Sequence, residues 1–289
     1  MLKDYAPHVS NQLLARHAWV KFFPLLGVVV AALSALFFWM PYGIDWHWTY
    51  RPAALAVLGG ESPYSVEIYY AAPWAAWLLI PIAVLPTMVG RVAIFLLGVA
   101  AYTYTAWKLG ARRGPSLLFL CSTAVIGCLI NGNIEWMALL GIVCPPWLGL
   151  ILLAVKPQVG AGLGVYWLVT IWREHGFKKV ILTFTPVTVL LIVSVLLYGL
   201  WPLRFSQTVA WSTSNGTLFP YGIILGVVIL AEALRRRHSR AALASGPFFS
   251  PYVLSFTWIA MLAYLLDRPR LLAVAVVVLW IPTLLEAFS

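Results

Sequence analysis

Acid is what this chain has least of: 9 Asp plus Glu stand against 19 Lys plus Arg in 289 residues. Charged residues of both signs make up 10% of it, whereas a soluble domain carries about 25%. Cysteine is also scarce. Cys121, Cys128 and Cys144 lie in apolar stretches with no Cys-x-x-Cys pair, which argues against a disulfide framework or a zinc site and leaves them as small buried hydrophobes. His, Asp and Glu nowhere cluster at metal-ligand spacing, so no metal site and no cofactor is expected; a divalent cation travelling with a lipid phosphate stays open. A basic helix with interleaved aromatics is missing outside the loops that flank apolar runs. The net charge of +10 therefore reads as a topology signal and an attraction to anionic headgroups, with no nucleic-acid partner.

Hydrocarbon takes the place of charge. Hydrophobic residues fill 62% of positions and the mean hydropathy is +0.91. Backbone groups in a bilayer must be bonded within their own segment or in a closed barrel, and the apolar runs here are continuous instead of alternating. The expected fold is all-α, a polytopic transmembrane helical bundle forming a single integral membrane domain over residues 1–289. Its segments fall at 22–40, 73–88, 91–107, 115–130, 133–155, 157–172, 180–199, 218–234, 250–266 and 270–286, about nine or ten in all. The basic flank before 22–40 also suits a signal peptide, but the apolar run passes Ala32-Leu33-Ser34 and many spans follow, which favours an uncleaved helix.

Cytoplasmic loops carry the excess of Lys and Arg. By that rule the N-terminus, 108–113, 173–179 and 235–240 are inside, while 41–72 and 200–217, with Arg51 and Arg204 as their only Lys or Arg residues, are extracytoplasmic. Parity raises a conflict: two full crossings between 73 and 107 would put 108–113 outside. Either the proline-interrupted stretch 73–88 does not cross, or this basic loop breaks the rule.

The loop 41–72 gathers Asp45, Glu61 and Glu67 from a chain nearly without acid. Trp46, Trp48 and Tyr50 suit the membrane interface, and 48–58 suits a helix lying in its plane. Asp45 is then either a solvated interfacial acid or a general base set where a lipid-borne substrate presents its headgroup. From the residues alone Asp45 and Glu61 stand close together in that role.

Asp45, Tyr50, Ala53-Ala54, Gly59-Gly60, Pro63-Tyr64, Tyr70, Pro73, Pro81 and Leu85-Pro86 resemble the first-loop pattern of GT-C-type membrane glycosyltransferases. The similar group is the bacterial mannosyltransferase-like enzymes that take sugar from a polyprenyl phosphate. Asn131-Gly132-Asn133, Lys156-Pro157-Gln158, Asn215-Gly216-Thr217 and Phe249-Ser250-Pro251 resemble later motifs of that group in the same order. The chain departs from the pattern in its short length, in Asn133 where glutamine is expected, and in a compressed 133–172 region. The resemblance implies a GT-C-like bundle and a catalytic Asp45. It also implies transfer of a mannose- or pentose-like sugar to a lipid or glycan hydroxyl, with inversion, on the extracytoplasmic face of a cell or inner membrane. The partners it implies are membrane lipids, a lipid-linked sugar donor and the acceptor.

Such chemistry needs a group to take the acceptor proton and cations or oriented donors to hold the charge left on phosphate. Lys156 and Arg51 are the candidate phosphate holders. Lys156 sits between apolar segments, where a lone cation costs about 2.5–3.5 kcal/mol, and Pro157 after it suits a new helix whose free N–H groups favour an anion. Snorkelling to an interface is the competing account of Lys156, and a lipid headgroup that of Arg51. Three roles are open to Glu135: pairing with Lys156, orienting an acceptor, or capping a helix. Tyr50, Glu61, Tyr64, Asn133, Glu135 and Gln158 are the candidate substrate-binding residues. Gly160, Gly162 and Gly164 read as close helix packing. Two other classes stay in view: a lipid or solute transporter, suggested by helix breaks at Pro145-Pro146 and Lys156-Pro157, and a non-catalytic subunit of a larger complex.

Overall fold

The computed structural model describes residues 37–204 and 215–287, with positions 32 and 35 besides. The expected first membrane segment, 22–40, lies almost wholly outside the described residues, as does most of the second outer loop. Contacts divide the chain into Met1–Pro41 and Tyr42–Ser289. In the first unit, residues 37–39 are helical and exposed.

The second unit is all α among the described residues, with short 3₁₀ turns and no strand. A π-turn at Trp46–Tyr50 runs directly into α1 (Arg51–Leu58). There follow α2 (Pro73–Ala83), α3 (Thr87–Lys108), α4 (Arg113–Leu120), α5 (Thr123–Asn131), α6 (Glu135–Leu140), α7 (Pro146–Leu153) and α8 (Pro157–Tyr198). The C-terminal part holds α9 (Gly222–Arg236), α10 (Ser239–Ala244), α11 (Ile259–Tyr264) and α12 (Pro269–Ala287). Proline opens α2, α7, α8 and α12 at a position where its missing N–H is unneeded. Ser122 caps α5 by accepting from the Val125 N–H, and Gly132 ends that helix at φ 70°, a left-handed conformation that costs glycine little.

Among the described residues two helices are long and apolar enough to cross a membrane, α3 and α8; α4 and α5, bent by 53°, qualify together as a third. Several expected segments are shorter. α2 holds 11 residues, about 16 Å of rise, roughly half of a hydrocarbon core. The stretch 133–155 is broken into α6 and α7 around Pro145-Pro146. Helix α8 bends at Gly176, φ 75°, into arms 157–175 and 177–198, which correspond to two expected segments. Outer faces of α8, α9 and α12 are apolar and exposed, as at Leu196, Ile224 and Val277.

The basic connections meet at one end. Arg237, after α9, pairs with Glu174 at the α8 bend at 3.2 Å. Arg240 lies 3.8 Å from Asp267, between α11 and α12, and donates to the Leu109 carbonyl at the end of α3. Exposed pairs of this kind add little stability, but they fix geometry. The 108–113 loop therefore lies with the other basic loops.

Two cores fill the body. One packs Tyr102, Phe119, Val125, Leu163 and Ile259 among α3, α4, α5, α8 and α11; the other packs Trp46, Tyr69, Leu79 and Ile134 around α1, α2 and the start of α6. Gly160 lets α8 approach α7, since a Cβ there would meet the Leu153 Cβ at 2.6 Å, and Gly162 does the same toward α10. Gly164 has room to spare, with Leu150 Cδ2 at 3.9 Å.

Candidate functional site

Asp45 ends the turn that leads into the π-turn, and glycines decide where it sits. Gly43, φ 74°, lies where a Cβ would meet Arg91 Nε at 2.7 Å and the Asn131 carbonyl at 2.8 Å. At Gly132 a Cβ would stand 2.6 Å from that of Trp46. The chain before α1 thus lies tight against the C-terminus of α5. Arg91, fully buried on the first turns of α3, holds that C-terminus by donating to the Leu129 and Ile130 carbonyls at 2.9 and 2.6 Å. A cation on the exposed carbonyl end of a helix complements its dipole.

These contacts bring Asp45 to Asn133, whose Nδ2 donates to Asp45 Oδ2 at 2.7 Å. The Asn133 Oδ1 accepts from the Ile134 N–H at 2.6 Å and from the Tyr50 hydroxyl at 3.0 Å. Lys156 follows α7 and immediately precedes Pro157, and its Nζ stands 3.4 Å from Glu135 Oε1 and 5.7 Å from the centre of the Tyr50 ring. The other Glu135 oxygen accepts from the Cys128 thiol at 3.6 Å, and Cys128 in turn accepts from Tyr102 at 2.9 Å. Both members of the ion pair are buried, at 7% exposure for Lys156 and 1% for Glu135.

Before this cluster lies a cavity of ≈ 270 Å³. Its lining mixes polar residues, Asp45, Thr49, Tyr50, Asn133, Lys156 and Gln158 among them, with apolar ones such as Ile68, Ala161, Phe249 and Leu254. The wall at Ser250, Pro251 and Tyr252 is pinned from the 200–217 loop: Asn215 donates to the Pro251 carbonyl at 3.0 Å and Thr217 to that of Ser250 at 2.6 Å. Burial is the largest influence on the Asp45 carboxyl. Lys156 and the Asn133 bond pull the other way and Glu135 adds to the rise, leaving Asp45 pushed up to about 6 from the usual 3.8.

Of the candidates named from sequence, Asp45, Tyr50, Asn133, Lys156 and Gln158 share this cavity, and Glu135 lies behind Lys156. Of the three roles open to Glu135, pairing with Lys156 is the one adopted. Three others are elsewhere. Arg51 reaches the Leu85 carbonyl at 3.4 Å, because α1 turns it toward the end of α2. Glu61 is exposed beyond the C-terminus of α1, in the turn made by Gly59 and Gly60. Tyr64 is a core residue: its hydroxyl donates to the Ala71 carbonyl at 3.0 Å, its ring stacks on Trp201 and Arg204 covers it at 5.1 Å. Sequence reasoning missed Thr49 and Ile68 of the lining, and Arg91, Tyr102 and Cys128 behind it. Only Arg91, a cation opening an apolar run, carried a signal.

Along α3, Arg91 beside the site and Lys108 at the basic end are separated by about 26 Å of helix rise, and the 157–175 arm of α8 covers a similar span. Cavity and basic loops therefore stand about one hydrocarbon thickness apart. Comparison with family models, curated proteins and solved structures returns no match.

Proposed function

We propose that this chain is a polytopic membrane glycosyltransferase that moves a sugar from a polyprenyl-phosphate donor to a lipid or glycan hydroxyl at the extracytoplasmic face. One observation carries the reading: a carboxylate and a buried cation from distant parts of the chain, Asp45 and Lys156, line one cavity together with apolar residues. Those are the demands of a substrate that is part phosphate and part hydrocarbon. The distance between the cavity and the basic loops supports the extracytoplasmic assignment.

In the proposed step Asp45 takes the proton of the acceptor O–H as the oxygen bonds to the anomeric carbon. The bond from that carbon to the phosphate oxygen breaks on the opposite side, which inverts the centre. The electron pair leaves on phosphate, where the Lys156 ammonium meets it. Glu135 engages Lys156 from behind and leaves the rest of the ammonium for the cavity. General-base help of this kind is worth about 10²–10⁴ in rate. Because a carboxyl raised to about 6 is about nine-tenths ionised at pH 7, Asp45 is available as a base.

Lys156 at a helix break also fits a transport site. Purified protein in proteoliposomes, given labelled polyprenyl-phosphate sugar, separates the two readings. Chemical transfer to acceptor supports the enzyme; movement of unchanged ligand across the bilayer without transfer overturns it.

A further inference from the structure

We infer that Asn133 is a positioning residue that fixes which oxygen of Asp45 receives the acceptor proton, and does not bind substrate through its amide oxygen. The inference rests on the proposed role of Asp45 as base. Asn133 cannot flip. Its Oδ1 is claimed by two donors, the Ile134 N–H at 2.6 Å and the Tyr50 hydroxyl at 3.0 Å, which forces Nδ2 onto Asp45 Oδ2 at 2.7 Å. The reversed amide would set NH₂ against the Ile134 N–H and an oxygen against a carboxylate, losing both of those bonds and keeping only the one to the Tyr50 hydroxyl, which can donate or accept. Asn133 is 4% exposed, so no solvent makes up such a loss.

The two Asp45 oxygens are thereby made unequal. Oδ2 already accepts one strong bond, and among the described residues no second donor reaches the carboxylate, so Oδ1, with both lone pairs open, is the better acceptor of an incoming proton. The charged groups that act on Asp45 are Lys156 and Glu135; Tyr50 and Tyr70 share its cavity, Arg91 lies against the neighbouring Gly43, and His47 follows two residues on, packed against Tyr42 and Trp48. Lys156 and Glu135 act on Asp45 with opposite sign and each more strongly than the Asn133 bond, but that bond is the influence a substitution can remove without breaking the buried ion pair.

The test compares wild type, Asn133→Ala and the isosteric Asn133→Asp in two readouts. The first is the pH dependence of kcat/KM for transfer. The second is an infrared titration of the Asp45 carboxyl, identified by the band lost in Asp45→Asn. Loss of the donor should move the acid midpoint up by about one unit in Asn133→Ala, a roughly tenfold deficit below the midpoint that closes as pH rises, with KM for the donor sugar unchanged. Asn133→Asp should move it further, because two adjacent carboxyls share a proton. A uniform rate loss with the midpoint unmoved in both variants would overturn the inference. Should wild type transfer no sugar, the infrared midpoint still decides: a rise in Asn133→Ala upholds the positioning role while the assignment of the base falls separately, and an unmoved midpoint overturns the positioning role.

Discussion

Asp45→Asn should stabilise the protein at neutral pH while abolishing its chemistry. The carboxyl is raised from 3.8 to about 6, chiefly by burial, so the fold favours its neutral form. A shift of about two units corresponds to about 3 kcal/mol. The sign follows from linkage: a group whose folded pKa lies above its unfolded value contributes stability that is complete below pH 3.8 and lost as pH rises through about 6. At pH 8 wild type has given up that stability by holding an ionised carboxylate in a site largely shielded from solvent. Asparagine, neutral at every pH and still able to accept from Asn133, gives up nothing. The variant should therefore exceed wild type by about 2–3 kcal/mol at pH 8, with the difference shrinking through pH 6 and gone near pH 4. Reversible unfolding in mixed micelles across pH 4–8 measures it. A variant less stable than wild type at pH 8, or a difference that does not vary with pH, would refute the reasoning.

Glu135→Gln leaves the Lys156 ammonium buried without its partner and should cost about 3–5 kcal/mol, most of it recovered when Lys156→Met is added, as read by the same unfolding measurement. Gly132→Ala strains a residue at φ 70° and drives a methyl into Trp46; a loss of about 1–3 kcal/mol is expected, with transfer activity reduced more than the stability loss explains, because Asp45 moves with Trp46. In a cysteine-free background, Ser65→Cys should react with an impermeant maleimide from outside intact cells and Arg237→Cys only after the membrane is opened; labelling of both from one side would contradict the proposed topology.

Much of the site was legible because charge is so sparse here. Asp45, Glu135 and Lys156 stand out in apolar sequence, and an ionisable group in such surroundings needs a partner or a polar cavity. The chain supplies both. Helix boundaries were harder to read: apolar runs look continuous, while Pro145-Pro146 and Gly176 cut them into pieces by backbone geometry that hydropathy does not register. Arg51 and Tyr64 show a second limit. Each is of the right type in the right loop, yet α1 turns Arg51 toward Leu85 and the aromatic cluster takes Tyr64, and neither outcome has a local sequence signal. Cys128 read as a small hydrophobe, but the fold sets it between Tyr102 and Glu135, a relation that spans α3, α5 and α6. The Ser250 to Tyr252 wall depends on side chains of Asn215 and Thr217, which the sequence offered only as one of the later motifs of the resemblance, with no sign of what they hold.

The central claim, that Asp45 is the base of a sugar transfer, is tested most directly by following labelled sugar from polyprenyl phosphate to acceptor between pH 5 and 8 with purified wild type and Asp45→Asn. The account predicts transfer by wild type with an acid limb near pH 6, and loss of about 10²-fold or more in the variant. Equal transfer by both proteins, or a wild-type profile flat through pH 6, would contradict it.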